Sequence, residues 1–208
     1  LFVLRASDGA LIRTIDTVVG SAATPSGLAQ IRAWVDRTEV NNTTLRVYGG
    51  DGFGNVWRFD VNNDIGASGY DAQVLATLRD GAGNAQPLTA RPELGLVSGN
   101  AMVYVGTGRY LGVTDLADKK QQTIYAIKDT LGATSWGDPR VGGNFVAQAM
   151  SQSTCPSGSS VCVAGQTIRL GTSNAVDLAV KGGWYVDLPV TSERANTDPQ
   201  LALGTLVF

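Results

Sequence analysis

The sequence predicts an all-β fold, and specifically a β-propeller of antiparallel four-stranded blades. Short β-branched or aromatic runs alternate with Gly, Asn, Asp and Pro throughout the 208 residues. Units of strand, turn and strand recur along the chain. Helical periodicity is nearly absent, and only the polar segment 115–122 has room for a helical turn. The alternative is a β-sandwich of similar composition, which is less favoured because sandwiches do not repeat such a unit.

Hairpin signals define most of the predicted strands. Asp51-Gly52 and Gly54-Asn55 supply the positive-φ positions that a tight hairpin needs. The hairpin near residue 105 is interrupted by the long insertion 109–122. The predicted strands cover residues 1–4, 11–16, 47–50, 55–60, 102–106, 123–128 and 183–188.

Prolines mark a possible repeat. Pro92 and Pro199 each precede a predicted strand, and Pro25 does so more loosely. A proline is tolerated there because its missing N–H need not join a ladder. The spacing is compatible with a repeat of roughly 50–65 residues. We therefore expect residues 1–208 to form part of one propeller domain with about four blades, cut from a longer, quinoprotein-like propeller, since both ends consist of apolar strand segments.

The composition excludes several classes of protein. The chain has 16 Lys and Arg against 18 Asp and Glu, so no basic excess is present to neutralise nucleic-acid phosphates. No apolar run approaches the length of a membrane-spanning helix. Histidine is absent, which excludes His-based catalytic triads and His-ligated metal sites.

Large aromatic residues recur in the second half of predicted blades, at Trp57, Tyr125 and Trp184. Two interpretations are open. The rings form a stacking platform for a sugar or cofactor, or they pack between neighbouring blades. Packing is favoured because a large ring fills the wedge between adjacent sheets.

Four aspartates stand beside Gly-rich turns: Asp51, Asp60, Asp129 and Asp187. A metal or acid–base role requires several carboxylates to converge. The simpler interpretation, which we favour, is that each carboxylate accepts backbone N–H bonds and closes a turn.

The segment 37–45 is a degenerate calcium loop. Calcium takes six to eight oxygen ligands from alternating acidic or amide residues. Glu39 and Asn41 alternate correctly, but Arg37 and Leu45 occupy the first and ninth ligand positions. An Asn also replaces the Gly of the sharp turn. We therefore expect no calcium at Glu39 and Asn41, and no other cofactor.

Cys155 and Cys162 are the only cysteines and flank a small polar loop. This spacing favours a local disulfide, and a Cys-only metal site would need more ligands. A disulfide indicates an oxidising compartment, either the periplasm or the cell exterior.

The motifs resemble a known family. The resemblance begins with two stretches, Val47-Tyr48-Gly49-Gly50-Asp51 and Gly54-Asn55-Val56-Trp57-Arg58-Phe59-Asp60. Together they resemble the C-terminal β-propeller of the PilY family, the large tip-associated adhesins and assembly factors of bacterial type IV pili. Further stretches resemble that family in the same order, at residues 86–95, 103–111, 122–127 and 183–189, followed by Asp198-Pro199.

The resemblance implies a non-catalytic structural and interaction module. It implies docking to minor pilins at the pilus tip, in support of pilus assembly, surface adhesion and twitching motility. It also implies export through the periplasm to the cell surface. Contact with host or abiotic surfaces belongs to family regions outside this sequence. The family carries a calcium loop before the Val-Tyr strand, and here the degenerate segment 37–45 stands in that place.

Two other function classes remain as alternatives. A pyrroloquinoline-quinone-type dehydrogenase also uses a propeller, but it needs calcium beside the quinone, a carboxylate base and usually an adjacent Cys pair. The sequence has no such constellation. A lectin-like or scaffold propeller is the other alternative.

The insertion 109–122 is the segment that blade packing explains least. It contains Asp115, Asp118, Lys119 and Lys120, which we predict to form a contact surface for partner proteins. The alternative is an ordinary solvated loop.

Overall fold

A computed structural model describes residues 1–63, 65 and 69–208. This part of the chain contains fifteen strands and one short 3-10 helix, Val113–Ala117, which confirms the predicted all-β fold. Within the same residues, no helix is long and apolar enough to cross a membrane. In chain order the strands are β1 Phe2–Leu4, β2 Leu11–Thr14, β3 Ile31–Trp34, β4 Arg46–Gly50, β5 Asn55–Asp60, β6 Ala72–Thr77, β7 Glu93–Val97, β8 Asn100–Gly106, β9 Thr123–Asp129, β10 Phe145–Gln148, β11 Met150–Thr154, β12 Thr167–Gly171, β13 Gly183–Asp187, β14 Gln200–Ala202 and β15 Thr205–Val207.

Sheet A has the order β3-β4-β5-β6, and all its pairs are antiparallel. Its central hairpin is closed by the buried carboxylate of Asp51. This carboxylate accepts the backbone N–H groups of Phe53 and Asn55 and the indole N–H of Trp57, each at 2.9 Å. Gly54 in the turn has φ +84°, a conformation that favours glycine. The Asp-Gly and Gly-Asn pairs therefore form the turn that the sequence predicts.

Sheet B has the order β10-β13-β9-β8-β7. The strands β7, β8, β9 and β13 pair antiparallel, whereas β10 pairs parallel with β13. This one pair differs from the antiparallel expectation. Two strands in parallel can be joined only by a long crossover connection. The segment from β10 to β13, which includes β11 and β12, is long enough to make this crossover.

Two-stranded ribbons complete the described architecture. The ribbon β1–β2 and its flanking residues Leu1 and Ile15 pack on the outer face of sheet A. The ribbon β14–β15 contributes Leu201 and Leu206 to the outer face of sheet B. Among the described residues, the two larger sheets therefore pack against each other, and each carries a two-stranded ribbon on its outer face. A third ribbon, β11–β12, lies within the connection from β10 to β13.

The core lies between sheets A and B, because each central strand alternates its side chains between two faces. In β4, Tyr48 joins the cluster between the sheets, and Val47 joins the cluster beneath ribbon β1–β2. In β8, Val103 joins the central cluster, and Met102 faces ribbon β14–β15. Both faces of each sheet are thus covered, as stacked propeller blades require.

A buried ion pair crosses the interface between the two sheets. Nη1 of Arg58 on β5 lies 2.6 Å from Oδ1 of Asp129, the last residue of β9. The hydroxyl of Tyr48 donates to Oδ2 of Asp129 at 2.6 Å, and Arg58 also donates to the carbonyl of Gly132 at 2.9 Å. Burial, and next the Asp129 charge, raise the pKa of Tyr48 well above its ordinary value. The hydroxyl therefore remains a donor to the carboxylate.

The aromatic residues pack between layers, in agreement with the favoured interpretation. Tyr125 is fully buried in the cluster between the sheets. Trp57 stacks on Phe59 beneath ribbon β1–β2, and Trp184 packs in the cluster beneath ribbon β14–β15.

The four aspartates divide into two groups. Asp51 and Asp60 accept backbone N–H bonds and close turns, as the sequence predicts. Asp129 accepts a backbone N–H bond as well, but it also forms the ion pair between the sheets. Asp187 pairs with Arg140 instead of closing a turn. The sequence did not indicate these two ion pairs, whose partners are distant along the chain.

Replacing Arg58 with Ala should lower the free energy of unfolding by about 3–5 kcal/mol, because it leaves the buried Asp129 carboxylate without its cation. Urea denaturation followed by circular dichroism measures the change. The matched control is Arg79→Ala, since Arg79 is exposed and should change the value by less than about 0.5 kcal/mol. A loss below about 1 kcal/mol for Arg58→Ala would show that the pair does not hold the sheets together.

Candidate functional site

The loop between β8 and β9, residues 107–122, is held in shape by Asp115. This carboxylate is buried and accepts the backbone N–H groups of Leu111 at 2.8 Å and Gly112 at 3.2 Å. It also pairs with Nε of Arg109 at 2.8 Å. The bond from Leu111 lowers the pKa of Asp115 most, burial opposes this shift, and Arg109 lowers the pKa further. Asp115 therefore stays ionised and closes the loop on itself.

Arg194 fixes the 107–122 loop to the rest of the molecule. Its guanidinium donates to the backbone carbonyls of Arg109 at 2.9 Å, Asp115 at 3.0 Å and Asp118 at 3.0 Å. Gly108, with φ +128°, allows this approach because a Cβ there would collide with the Arg194 side chain. Because one guanidinium binds three backbone carbonyls of the loop, the loop is held in a fixed conformation.

The outer surface of the 107–122 loop exposes several large apolar side chains. Four large apolar side chains of the loop are 52–82% exposed: Tyr110, Leu111, Val113 and Leu116. Large apolar side chains grouped on an ordered loop are typical of a surface that binds another protein. The sequence signal for them is the run Tyr-Leu-Gly-Val-Thr-Asp-Leu, which is unusually apolar for an insertion between strands.

The predicted contact residues occupy different positions in this loop. Asp115 points inward and shapes the loop through its hydrogen bonds to the backbone. Lys119 and Lys120 are exposed, and Asp118 is partly exposed. Nζ of Lys120 lies 3.8 Å from Oδ2 of Asp118, and Nζ of Lys119 donates to the Leu116 carbonyl at 3.2 Å. These three residues form a polar border beside the apolar surface.

A groove of about 530 Å³ adjoins the loop. Its apolar wall comes from Leu28, Phe53, Leu88 and Leu111, and Arg109 stands at its border. Leu111 belongs to both the groove and the exposed side chains of the 107–122 loop, so the groove meets the loop at this residue.

The degenerate calcium-loop segment 37–45 contains a tight turn. The N–H of Asn41 donates to the carbonyl of Arg37 at 2.8 Å, and Oδ1 of Asn41 accepts the backbone N–H of Thr43 at 3.0 Å and its hydroxyl at 2.7 Å. The Glu39 carboxylate accepts a 3.4 Å bond from the hydroxyl of Thr38. Across the described part of the chain, no three His, Cys, Asp or Glu side chains are grouped as metal ligands would be. The residues present do not fit a calcium ion.

Cys155 and Cys162 are joined by a disulfide, with their Cα atoms 6.0 Å apart. The bridge closes the tip of ribbon β11–β12, where the N–H of Cys155 donates to the carbonyl of Gln166 at 2.8 Å. The disulfide therefore cross-links the loop that connects β11 to β12.

Comparison with known proteins decides the family. The model of the PilY1 beta-propeller domain matches residues 1–155. The chain belongs to the PilY1 β-propeller family. The type IV pilus biogenesis factor PilY1 homolog of Xylella fastidiosa (strain Temecula1 / ATCC 700964) is 29% identical over 241 residues, which cover 100% of this chain and 15% of that protein. The type IV pilus biogenesis factor PilY1 of Pseudomonas aeruginosa strain PAK is 29% identical over 243 residues, which cover 100% of this chain and 20% of that protein.

A solved PilY1 structure supports the same assignment. The crystal structure of the Pseudomonas aeruginosa PilY1 C-terminal domain matches with a TM-score of 0.72 and 27% identity. The match covers 96% of this chain and 47% of that one. The chain thus spans about a fifth or less of the curated PilY1 relatives and about half of the solved PilY1 domain. The PilY-like propeller fold that the sequence predicts is confirmed, whereas the number of blades stays a prediction.

Replacing Asp115 with Asn should loosen the 107–122 loop, because the amide keeps the size of the carboxylate but loses its charge toward Arg109. We expect trypsin to cleave after Arg109 or Lys119 several-fold faster, since cleavage requires local opening of the loop. Mass spectrometry of timed digests measures the rate. Asp118→Asn is the matched control and should cleave at the wild-type rate; equal rates for both variants would remove Asp115 as the element that orders the loop.

Calcium should not bind at Glu39 and Asn41. Isothermal titration calorimetry with calcium chloride should give the same result for the wild type and for Glu39→Ala, because the segment offers too few free oxygens. A micromolar isotherm that Glu39→Ala abolishes would contradict this expectation.

Proposed function

We propose that the chain is a non-catalytic interaction module of a type IV pilus biogenesis factor. Its relatives in Xylella fastidiosa and Pseudomonas aeruginosa are named as type IV pilus biogenesis factors. The observation that carries the proposal is the apolar outer surface of the 107–122 loop, ordered by Asp115 and Arg194. A rigid loop on a sheet scaffold loses little conformational entropy on binding, which favours recognition of a protein partner.

The proposed partners are minor pilins at the pilus tip. The apolar side chains of Leu111 and Val113 would supply the buried centre of the contact, and Lys119 and Lys120 would form its polar rim. The groove beside the loop would accept an apolar segment of the pilin. Binding of this kind would support pilus assembly, and through it surface adhesion and twitching motility.

The proposed location is the cell surface, reached through the periplasm. The disulfide between Cys155 and Cys162 supports this location, because such bonds persist in oxidising compartments. Adhesion to host or abiotic surfaces would be the task of other regions of a PilY1-type protein, since this chain spans a small share of its relatives.

The non-catalytic part of the proposal rests on the chemistry of the side chains. The sequence lacks histidine, and its two cysteines are consumed by the disulfide. The carboxylates of Asp115, Asp129 and Asp187 are each engaged by an arginine that fixes the fold. These contacts support structural roles for the groups that an enzyme would otherwise use.

The double substitution Leu111→Ser and Val113→Ser should weaken binding to minor pilins by roughly tenfold or more, because it removes the apolar centre of the contact and spares Asp115. Surface plasmon resonance with purified minor pilins measures the affinity, and counts of surface pili with twitching-zone diameters measure the consequence in cells. Both readouts should fall together.

The control is the double substitution Val180→Ser and Leu203→Ser, which removes an exposed Val and an exposed Leu elsewhere on the molecule. It should leave affinity and piliation unchanged. Wild-type affinity, piliation and twitching in the Leu111→Ser and Val113→Ser variant would exclude the 107–122 loop as the docking surface.

A further inference from the structure

A cleft with both polar and apolar lining residues lies between sheets A and B, at the end of β8 opposite the 107–122 loop. Its volume is about 590 Å³, within the range of small-molecule sites. The lining residues include Trp34, Asp36, Arg46, Leu96, Asn100 and Leu131. The cleft is therefore separate from the proposed docking surface, and its chemistry is independent of the proposed function.

Arg46 is the distinctive residue of this cleft. Its side chain is buried, with the residue only 4% exposed. Nε donates to the hydroxyl of Tyr48 at 2.7 Å, and the guanidinium carbon lies 4.4 Å from the centre of the Trp34 ring. Among the described residues, the terminal nitrogens of Arg46 have no hydrogen-bond acceptor and no ion-pair partner. A buried guanidinium thus presents its fork of N–H groups to an open cavity.

The neighbouring carboxylates are engaged by other groups. Asp36 accepts the indole N–H of Trp34. Asp129 is held by the ion pair between the sheets and by Tyr48. Asp60 lies opposite Arg46 in the register of β4 and β5, and it accepts backbone N–H groups of the turn that follows β5. Arg46 itself lines the cavity.

We propose that this cleft binds a carboxylate, with Arg46 as its anchor. The planar guanidinium matches a carboxylate in a two-point contact, and burial strengthens that contact because water competes less for it. Trp34, Leu96 and Leu131 provide apolar walls for the carbon skeleton. Asn100 stands at the border, where its amide nitrogen already donates to the carbonyls of Val97 and Ser98.

A carboxylate can come from a free small organic acid or from an acidic side chain of a polypeptide. Both sources present the same group to Arg46 but differ in the length of chain attached to it. Leu96 is 64% exposed and stands at the mouth of the cleft, so a longer chain has room to leave the site.

Isothermal titration calorimetry of the full chain, at constant ionic strength set with sodium chloride, tests the proposal with two probes. One probe is sodium glutarate, and the other is a capped Gly-Glu-Gly peptide. We expect saturable binding of at least one probe. Tighter binding of glutarate assigns a free acid as the ligand, and tighter binding of the peptide assigns a polypeptide side chain.

Arg46→Gln should weaken the binding at least tenfold, and Arg79→Gln, at an exposed arginine, should leave it unchanged. Leu96→Trp keeps Arg46 and its contacts but fills the mouth of the cleft, so it should also weaken binding tenfold even where Arg46→Gln fails to fold. Absence of binding by both probes to the wild type overturns the proposal. So does unchanged binding in Leu96→Trp, or in a folded Arg46→Gln variant.

Discussion

The ion pair between Arg58 and Asp129 is the contact on which the arrangement of the two central sheets depends. It joins residues 71 positions apart in sequence, and neither partner has access to bulk water. A buried pair of this kind contributes little to stability when compared with apolar residues, but it strongly disfavours any packing that separates the two charges. The apolar side chains supply the energy of the interface, and the ion pair selects the register in which sheet A meets sheet B.

The same layered scaffold separates two surfaces with different chemistry. Loops that leave one end of the central strands include the apolar projection ordered by Asp115 and Arg194. The opposite end contains the cleft with Arg46. Because β8 connects the two ends, its buried residues Val103 and Val105 give both surfaces a common rigid base. An interaction module benefits from such a base, since each surface keeps its shape without support from a partner.

The elements of this fold that depend on neighbours in sequence were predictable, and those that depend on distant partners were not. The Asp51 turn follows from its own residues, so its strands were located to within two positions. The role of Asp129 depends on Arg58, and the parallel placement of β10 depends on a crossover, so neither has a local signal. The 107–122 loop was predicted as a contact surface because blade packing did not explain it, but the sequence did not show that Asp115 binds the backbone while apolar residues face outward.

The hydrogen bond from Tyr48 to Asp129 has a consequence for acidity. Because burial and the Asp129 charge raise the pKa of Tyr48, its ring hydroxyl keeps its proton near neutral pH. A tyrosine exposed by unfolding ionises at about pH 10, so the folded form loses stability from this group only in strongly alkaline solution. Between neutrality and that limit, the tyrosine end of this hydrogen bond is chemically indifferent to the proton concentration of its surroundings.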